Sequence, residues 1–239
     1  MLFAVMEDHT NPKPDQVLNS LVSLSMDGSG TITILASGKD FYAAPKAILQ
    51  DNSNIMHLAY VAWDHPYMPW DHTSLFLQRI LLENSDDKPI FQPSGEPQLI
   101  FGSASSVASP VWSPDKNSLY FISDITGWYN IYRYDLQTKK TNPLLPREAD
   151  FCESGSFGWL LGLTHFSIFD DGRLVAGCSP PPGREGESSD ALLVFITVGA
   201  DGVPSNITEV PVGSRCLPPT AVGGLCVCGT ALCFLGGST

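Results

Sequence analysis

Short apolar runs recur along the chain at a nearly constant spacing. Five of them begin with a leucine, and these leucines lie 56, 61, 55 and 58 residues apart, at residues 2–5, 58–61, 119–122, 174–177 and 232–235. A second apolar run follows the first four, at 21–24, 75–77, 131–134 and 193–196, and a weaker third run lies at 31–35, 98–101 and 207–210. Runs of this length, bounded by turn residues, predict short strands.

The turns between these runs support a repeating unit of four antiparallel strands. Opening runs at 108–112 and 159–163 lead to the turns Ser113-Pro114-Asp115-Lys116 and Asp170-Asp171-Gly172, whose residues favour tight turns. No segment has a convincing helical pattern. A four-stranded sheet that recurs at this period is typical of a β-propeller blade, whereas a β-sandwich has no reason to repeat one unit at a fixed interval.

The prediction is therefore an all-β chain, a partial β-propeller of about four four-stranded blades that is not expected to close as a complete ring. Residues 1–239 form one propeller segment, with repeats at approximately 1–38, 39–103, 104–147 and 148–213 and an incomplete repeat at 214–239. The first repeat lacks its opening strand and the fifth ends after its second strand. We expect a segment of a larger protein or a short isoform, with strand edges that invite a partner.

The composition of the chain limits the kinds of partner that it is expected to bind. The 239 residues are 43% hydrophobic, which is enough for a sizeable core, and the net charge of −12 argues against nucleic acid. No basic region precedes the N-terminal LFAV, and the run LCVCGTALCFLGG is too short to span a bilayer. We expect a cytoplasmic protein that binds neither nucleic acid nor membrane.

Six cysteines lie in the second half of the chain: Cys152, Cys178, Cys216, Cys226, Cys228 and Cys233. Without a secretory signal, free thiols are expected rather than a disulfide framework. The last three form C-x-C-x4-C, which does not match the paired C-x2-C spacing of zinc sites. Positions 226 and 228 of a strand share a face, so small buried hydrophobic residues are expected there. No cofactor is predicted.

The stretch AWDHPYMPWDHTSLF, residues 62–76, contains the triplet Trp-Asp-His twice, seven residues apart. Its Asp64, His65, Asp71 and His72 could bind a metal or move a proton, or they could form a polar turn. The stretch falls between the second and third strands of the second repeat, and the equivalent loops are 7–19, 124–130 and 179–190. Long loops on one face of a rigid scaffold usually carry binding functions.

The nine residues from Trp63 to Asp71, WDHPYMPWD, resemble a motif in the propeller of acylaminoacyl-peptidase-like and dipeptidyl-peptidase-like members of the prolyl oligopeptidase family. The stretches SPVWSPD at 109–115, LYFISDITGWYNIY at 119–132 and Ala149-Asp150-Phe151 resemble the same proteins. The resemblance extends from about residue 5 to residue 237.

This resemblance implies that a propeller covers an active site carried by a separate α/β-hydrolase domain, with a serine, an aspartate and a histidine. No G-x-S-x-G pentapeptide occurs in the chain, so no catalytic triad is recognisable and the enzyme assignment is left open. The predicted function is a non-catalytic segment that gates peptide substrates and supports the hydrolase domain. The partners are then that domain or a second propeller segment, and a peptide substrate. The alternative is a stand-alone interaction module.

No catalytic, cofactor-binding or metal-binding residue is predicted. A catalytic Asp-His pair lacks a recognisable nucleophile, and two prolines restrict how the loop could wrap an ion. The motif loop is interpreted as structural: the tryptophans pack on neighbouring strands and the aspartates accept hydrogen bonds from turn amides. The open alternative is that the loop lines the entry to a catalytic domain. The residues concerned are Trp63, Asp64, His65, Pro66, Met68, Pro69, Trp70 and Asp71. Arg133 and Arg147 are interpreted as lone surface arginines rather than carboxylate clamps.

Overall fold

The computed structural model describes residues 1–85, 88–102, 104–151, 164–178, 192–211 and 221–237. Within these ranges the chain is all-β, with several antiparallel sheets and one short 3-10 turn at Pro14–Gln16. This confirms the predicted fold class, a partial β-propeller. The predicted strand at 159–163, the predicted loop at 179–190, and Cys152 and Cys216 lie outside the described residues.

The first sheet has three antiparallel strands in the order β1-β2-β3. Leu2 opposes Leu24 across the first pair of strands, and Leu24 opposes Ile32 across the second pair. Each strand contains one of the apolar runs found in the sequence. The bounds are β1 Leu2–Asp8, β2 Leu18–Leu24 and β3 Ile32–Ser37.

The second sheet departs from the predicted four strands, because it has five. Its third strand, β6, is 12 residues long, and two short strands share its outer edge. β7 pairs with the C-terminal half of β6, whereas β8 pairs with the N-terminal half. A turn containing Gly95, at φ +76°, separates them. The bounds are β4 Phe41–Leu49, β5 Ile55–Trp63, β6 Ser74–Ser85, β7 Lys88–Pro93 and β8 Gln98–Gly102.

The third sheet has the predicted four strands, in the order β12-β11-β10-β9. The predicted turn after β9 forms: Lys116 donates its amide to the Ser113 carbonyl (3.0 Å), and the Ser113 hydroxyl accepts the Ser118 amide (2.9 Å). The bounds are β9 Val107–Trp112, β10 Ser118–Ser123, β11 Asn130–Asp135 and β12 Lys140–Pro143.

The fourth sheet has four strands in the order β13-β14-β15-β16. The strand that pairs with β14 is Phe166–Ile168. The predicted turn at 170–172 joins them, where Phe169 donates to the Arg173 carbonyl and Gly172 donates to the Phe169 carbonyl, both at 2.8 Å. Such a tight turn pairs the residues immediately before it. The bounds are β13 Phe166–Ile168, β14 Leu174–Cys178, β15 Leu192–Val198 and β16 Pro204–Pro211.

The last sheet is a hairpin of β17 (Ala221–Cys228) and β18 (Ala231–Gly237). The expectation of buried cysteines here is wrong, because Cys226, Cys228 and Cys233 are all exposed. The face that packs inward carries Leu225, Val227 and Leu232 instead. Cys178, at the end of β14, is buried.

The chain divides into two compact units, residues 1–110 and 111–239. In the first unit, Phe3, Leu21 and Leu35 of the first sheet pack against Tyr60, Ile80 and Phe91 of the second. In the second unit, Phe169, Val175 and Leu193 of the fourth sheet pack against Leu225 of the hairpin. Each unit thus buries apolar faces of successive sheets against one another. The predicted repeat boundaries remain a prediction.

Among the described residues, no helix is both long and apolar enough to cross a membrane. The cytoplasmic location remains a prediction.

Candidate functional site

The motif loop, residues 64–73, connects β5 to β6, and its first half is clasped to the turn before β4. Asp64 accepts the Asp40 amide through Oδ1 (3.0 Å) and forms an ion pair with the Lys39 ammonium through Oδ2 (2.5 Å). In return, Asp40 Oδ2 accepts the His65 amide (2.8 Å) and contacts His65 Nδ1 (3.0 Å). The hydrogen bonds from the His65 amide and ring lower the pKa of Asp40. Asp64 thus holds the turn that contains Asp40, and Asp40 holds the start of the motif loop.

These mutual contacts, which we call the Asp40–Asp64 clasp, follow from the register of β4 and β5. Phe41, the first residue of β4, pairs with Trp63, the last residue of β5, so Asp40 and Asp64 flank the end of one antiparallel ladder. The Phe41 ring stacks on Trp63, with centroids 5.2 Å apart, and also contacts the His65 ring at 4.8 Å. Lys39 and Asp40 were absent from the sequence-based candidates. Their only signal was the turn-like Gly-Lys-Asp sequence, which does not indicate a partner 25 residues away.

The second half of the loop is held by its own partners. Asp71 Oδ2 accepts the Met68 amide (3.1 Å), and the Asp71 amide donates to the Met68 carbonyl (2.9 Å). His72 donates its amide to the same carbonyl (3.3 Å) and stacks on Tyr67 at 4.7 Å. The two Trp-Asp-His triplets therefore bind different groups, although they are identical in sequence.

Residues at the start of β9 and just before it hold this half of the loop in place. The Ser106 hydroxyl donates to the Pro69 carbonyl (2.7 Å). The buried Thr73 hydroxyl donates to the Val107 carbonyl (2.9 Å) and accepts the Val107 amide (2.6 Å). Hydrogen bonds at both ends leave Tyr67 and Met68, 46% and 41% exposed, at the fixed tip of the loop.

No group of three or more His, Cys, Asp or Glu side chains in the described part of the chain is placed to hold a metal ion. The structure places Asp64 and Asp71 as acceptors of turn amides and Trp63 against a neighbouring strand. Whether the loop is purely structural or also contacts a catalytic domain remains a prediction.

A second candidate is a polar cleft of about 280 Å³ in the unit formed by residues 111–239. Tyr120 and Arg133 lie among three turns, at 113–118, 170–172 and 198–200. Burial raises the pKa of the Tyr120 hydroxyl. Burial tends to raise the pKa of Asp115 too, but hydrogen bonds from Ser113 and Asn117 outweigh it and the pKa is lowered.

Neither candidate arginine is a lone surface arginine, so that interpretation is wrong. Arg133 is 16% exposed and pairs with Asp135 at 2.9 Å. Gly202 packs so closely that a Cβ there would lie 2.9 Å from the Arg133 Cζ. Arg147 pairs with Glu209 at 2.7 Å and lies over the Phe151 ring at 5.6 Å. The Arg133 ion pair lies within β11, whereas the Arg147 ion pair links the segment after β12 to β16.

Comparison with solved structures gives the class of protein first. The chain matches a crystal structure of puromycin hydrolase over 98% of its residues, with a TM-score of 0.73 and 24% identity. It matches a puromycin-hydrolyzing peptidase from Mycobacterium tuberculosis over 96%, with a TM-score of 0.69 and 26% identity. These are peptidases of the prolyl oligopeptidase family, so the predicted resemblance to the propeller region of that family is confirmed.

The match covers nearly the whole of this chain but only part of each solved protein. The chain spans 32% of the length of each of these two proteins. A scan against protein-family models finds no match, and a comparison with curated protein sequences finds none either.

Proposed function

We propose that this chain is a non-catalytic propeller segment of a prolyl-oligopeptidase-type serine peptidase, where it limits which peptides reach a hydrolase domain and supports that domain. The observation that carries the proposal is the match over 96% of this chain to 32% of a puromycin-hydrolyzing peptidase. The described residues of this segment form sheets and one short 3-10 turn, which suits a scaffold that supports a separate catalytic domain.

The motif loop suits this role. A loop that admits or excludes a peptide must keep its shape, and the Asp40–Asp64 clasp and the Ser106–Pro69 hydrogen bond restrain it at both ends. Its tip presents Tyr67 and Met68, an aromatic and an adaptable thioether side chain that suit contact with a peptide or a neighbouring domain.

The first test asks whether the chain belongs to a larger serine hydrolase. An antibody raised against the chain should detect, in the native source, a polypeptide roughly three times its 25.8 kDa, because the chain spans 32% of its solved relatives. A fluorophosphonate probe, which reacts with activated serines, should label that polypeptide and leave the isolated chain unlabelled. Labelling of the isolated chain, or detection of a 25.8 kDa species alone, would contradict the proposal.

The second test addresses gating in the larger protein. Asp64→Ala removes the acceptor of the Asp40 amide and the partner of Lys39, so the loop loosens. We expect kcat/KM for long peptides to rise relative to that for dipeptide substrates. Glu96→Ala, at an exposed position of the turn between β7 and β8, is the matched control and should leave this ratio unchanged. Equal ratios in both variants would argue against gating by this loop.

The second candidate function, a stand-alone interaction module, has one observation in its favour. Leu2, Ile32 and Ile34 of the first sheet are 49%, 51% and 53% exposed. Exposed aliphatic side chains grouped on one sheet often mark a protein contact. Detection of a 25.8 kDa native species in the antibody test would favour this function.

A further inference from the structure

The terminal hairpin separates apolar side chains from thiols. Leu225 is 1% exposed and packs with Phe169, Val175 and Leu193 of the fourth sheet, and Val227 and Leu232 join the same cluster. Successive side chains of a strand point to opposite faces. Cys226, Cys228 and Cys233 therefore lie together on the outer face, where all three are exposed.

The register places two of these thiols directly opposite each other. Cys226 pairs with Cys233, whereas Cys228 pairs with Ala231. Direct partners in an antiparallel pair have Cα atoms about 4.5–5.5 Å apart and side chains on one side. Disulfides need a Cα separation of about 4.4–6.8 Å, which this pair meets, and a Cβ separation of about 3.5–4.5 Å. Pairs alternate along the ladder from the turn, so Cys226–Cys233 is a hydrogen-bonded pair with Cβ atoms about 5.5 Å apart. Closure therefore draws the two strands together locally, and the bond that results is strained and easily reduced. A diagonal pair such as Cys228 and Cys233 lies farther apart, at about 7–8 Å.

The hairpin turn keeps this register. β17 and β18 are joined by two residues, Gly229 and Thr230, and Gly229 has φ +60°, which a two-residue hairpin turn accepts readily. Pairing is continuous from Cys228–Ala231 to Cys226–Cys233, and the irregularity in the ladder begins only beyond Cys226, towards Gly223. The two cysteines therefore belong to the regular part of the hairpin.

We propose that Cys226 and Cys233 form a reversible disulfide across this hairpin. With a small disulfide such as oxidised glutathione as the oxidant, one cysteine thiolate attacks a glutathione sulfur and releases one reduced glutathione. The second cysteine then attacks the mixed disulfide, closes the Cys226–Cys233 bond and releases the second glutathione. The protein loses two electrons and two protons, which the two glutathione thiols carry away, and excess reduced glutathione reverses both steps.

The bond closes a loop of only eight residues, from Cys226 to Cys233, so it constrains the unfolded chain less than a bond across a long loop would. Its main consequences are local. It removes two nucleophilic thiols from an exposed face and fixes β17 to β18, while Cys228 on the same face lies opposite Ala231 rather than opposite a thiol. An exposed dithiol of this kind is typical of reversible oxidation rather than of a permanent structural bridge.

The test counts reactive thiols in the full 239-residue chain before and after incubation with oxidised glutathione. In the wild type and in the control Cys228→Ser, mass mapping of peptides should show that Cys226 and Cys233 both lose their thiols and carry no glutathione, and dithiothreitol should restore both thiols. Cys226→Ser and Cys233→Ser should instead retain a mixed disulfide with glutathione on the remaining partner, because no resolving thiol lies opposite. Circular dichroism checks that each serine variant folds.

Three results would overturn the proposal. The first is a Cys226→Ser or Cys233→Ser variant whose remaining partner still ends in an intramolecular disulfide. The second is a wild-type protein in which Cys226 or Cys233 keeps bound glutathione or its free thiol. The third is oxidation that yields disulfide-linked pairs of chains on a non-reducing gel instead of an intramolecular bond.

Discussion

His165 is an imidazole set inside the second unit, 5% exposed, immediately before β13. Its neighbour Thr164 ties the segment to the hairpin, since the Thr164 hydroxyl donates to the Leu225 carbonyl (2.7 Å). Burial penalises the charged imidazolium and lowers the pKa of His165 to about 4. The folded protein therefore keeps this side chain neutral under conditions in which an unfolded chain would protonate it.

This difference predicts acid sensitivity. Because the pKa in the folded state lies below the unfolded value of about 6.5, the unfolded chain binds the extra proton, and stability falls as the pH drops from about 6.5 to about 4. Over that window His165 should account for a loss of about 3 kcal/mol. Urea unfolding at several pH values should show a shallower pH dependence for His165→Gln. The exposed control His9→Gln should keep the wild-type slope, and an unchanged slope in His165→Gln would contradict the prediction.

Among the strands, β6 carries a buried side chain, Gln78, that forms hydrogen bonds at the break between β7 and β8. Gln78 is 1% exposed, and its Nε2 donates to the carbonyls of Arg79 (2.8 Å) and Gly95 (3.1 Å). The Ser94 amide donates to the Arg79 carbonyl at 2.8 Å. These bonds lie where β7 ends and the chain turns towards β8, so the amide replaces the ladder bonds that the break removes.

Gln78→Met keeps the volume of the side chain but removes the donor. The Gly95 carbonyl then loses this donor and the Arg79 carbonyl keeps only the Ser94 amide, so we expect the free energy of unfolding to fall by about 0.5–1.5 kcal/mol. Gln92→Met, at an exposed position of β7, is the matched control and should change stability little. Urea unfolding gives both values, and hydrogen exchange should show earlier exchange of the Ser94 amide in the first variant. Equal stability of the two variants would show that the Gln78 amide is not needed.

The strands were largely predictable because apolar runs and turn residues alternate along the chain, and most runs became strands within a few residues of the expected bounds. The division of the outer edge of the second sheet into β7 and β8 was not predictable from the sequence, because it depends on how far β6 extends. The exposure of Cys226 and Cys228 was missed for a related reason. A period of two shows that they share a face, but only the packing of Leu225 shows which face is buried. The motif loop was located from sequence, yet its partners Lys39 and Asp40 arise from the pairing of β4 with β5.

In the whole molecule, the first sheet buries one face against the second sheet and exposes several apolar side chains on the other face. Phe3 and Leu21 lie on the covered face, where Phe3 meets Phe91 edge-on at 5.7 Å. Leu2 and Leu24 lie on the other face with Ile32 and Ile34, as the register requires. Ile32 and Ile34 are 51% and 53% exposed. Apolar side chains clustered this way favour contact with another sheet.

We expect this face to join two copies of the isolated chain, and we expect salt to control the contact. The net charge of −12 makes copies repel one another at low ionic strength, and screening removes the repulsion. Sedimentation velocity should therefore show a monomer at low salt and a growing dimer fraction at high salt.

Ile32→Thr with Ile34→Thr keeps β-branched residues in β3 but removes apolar area. Because each isoleucine is already about half buried, its further burial contributes about 1 kcal/mol, and loss of both should raise the dimer Kd about tenfold. Ile125→Thr with Val203→Thr, at exposed positions of the other unit, is the control and should dimerise like the wild type. A wild type that stays monomeric at high salt, or a control that weakens as much as the Ile32 and Ile34 variant, would show that this face does not pair.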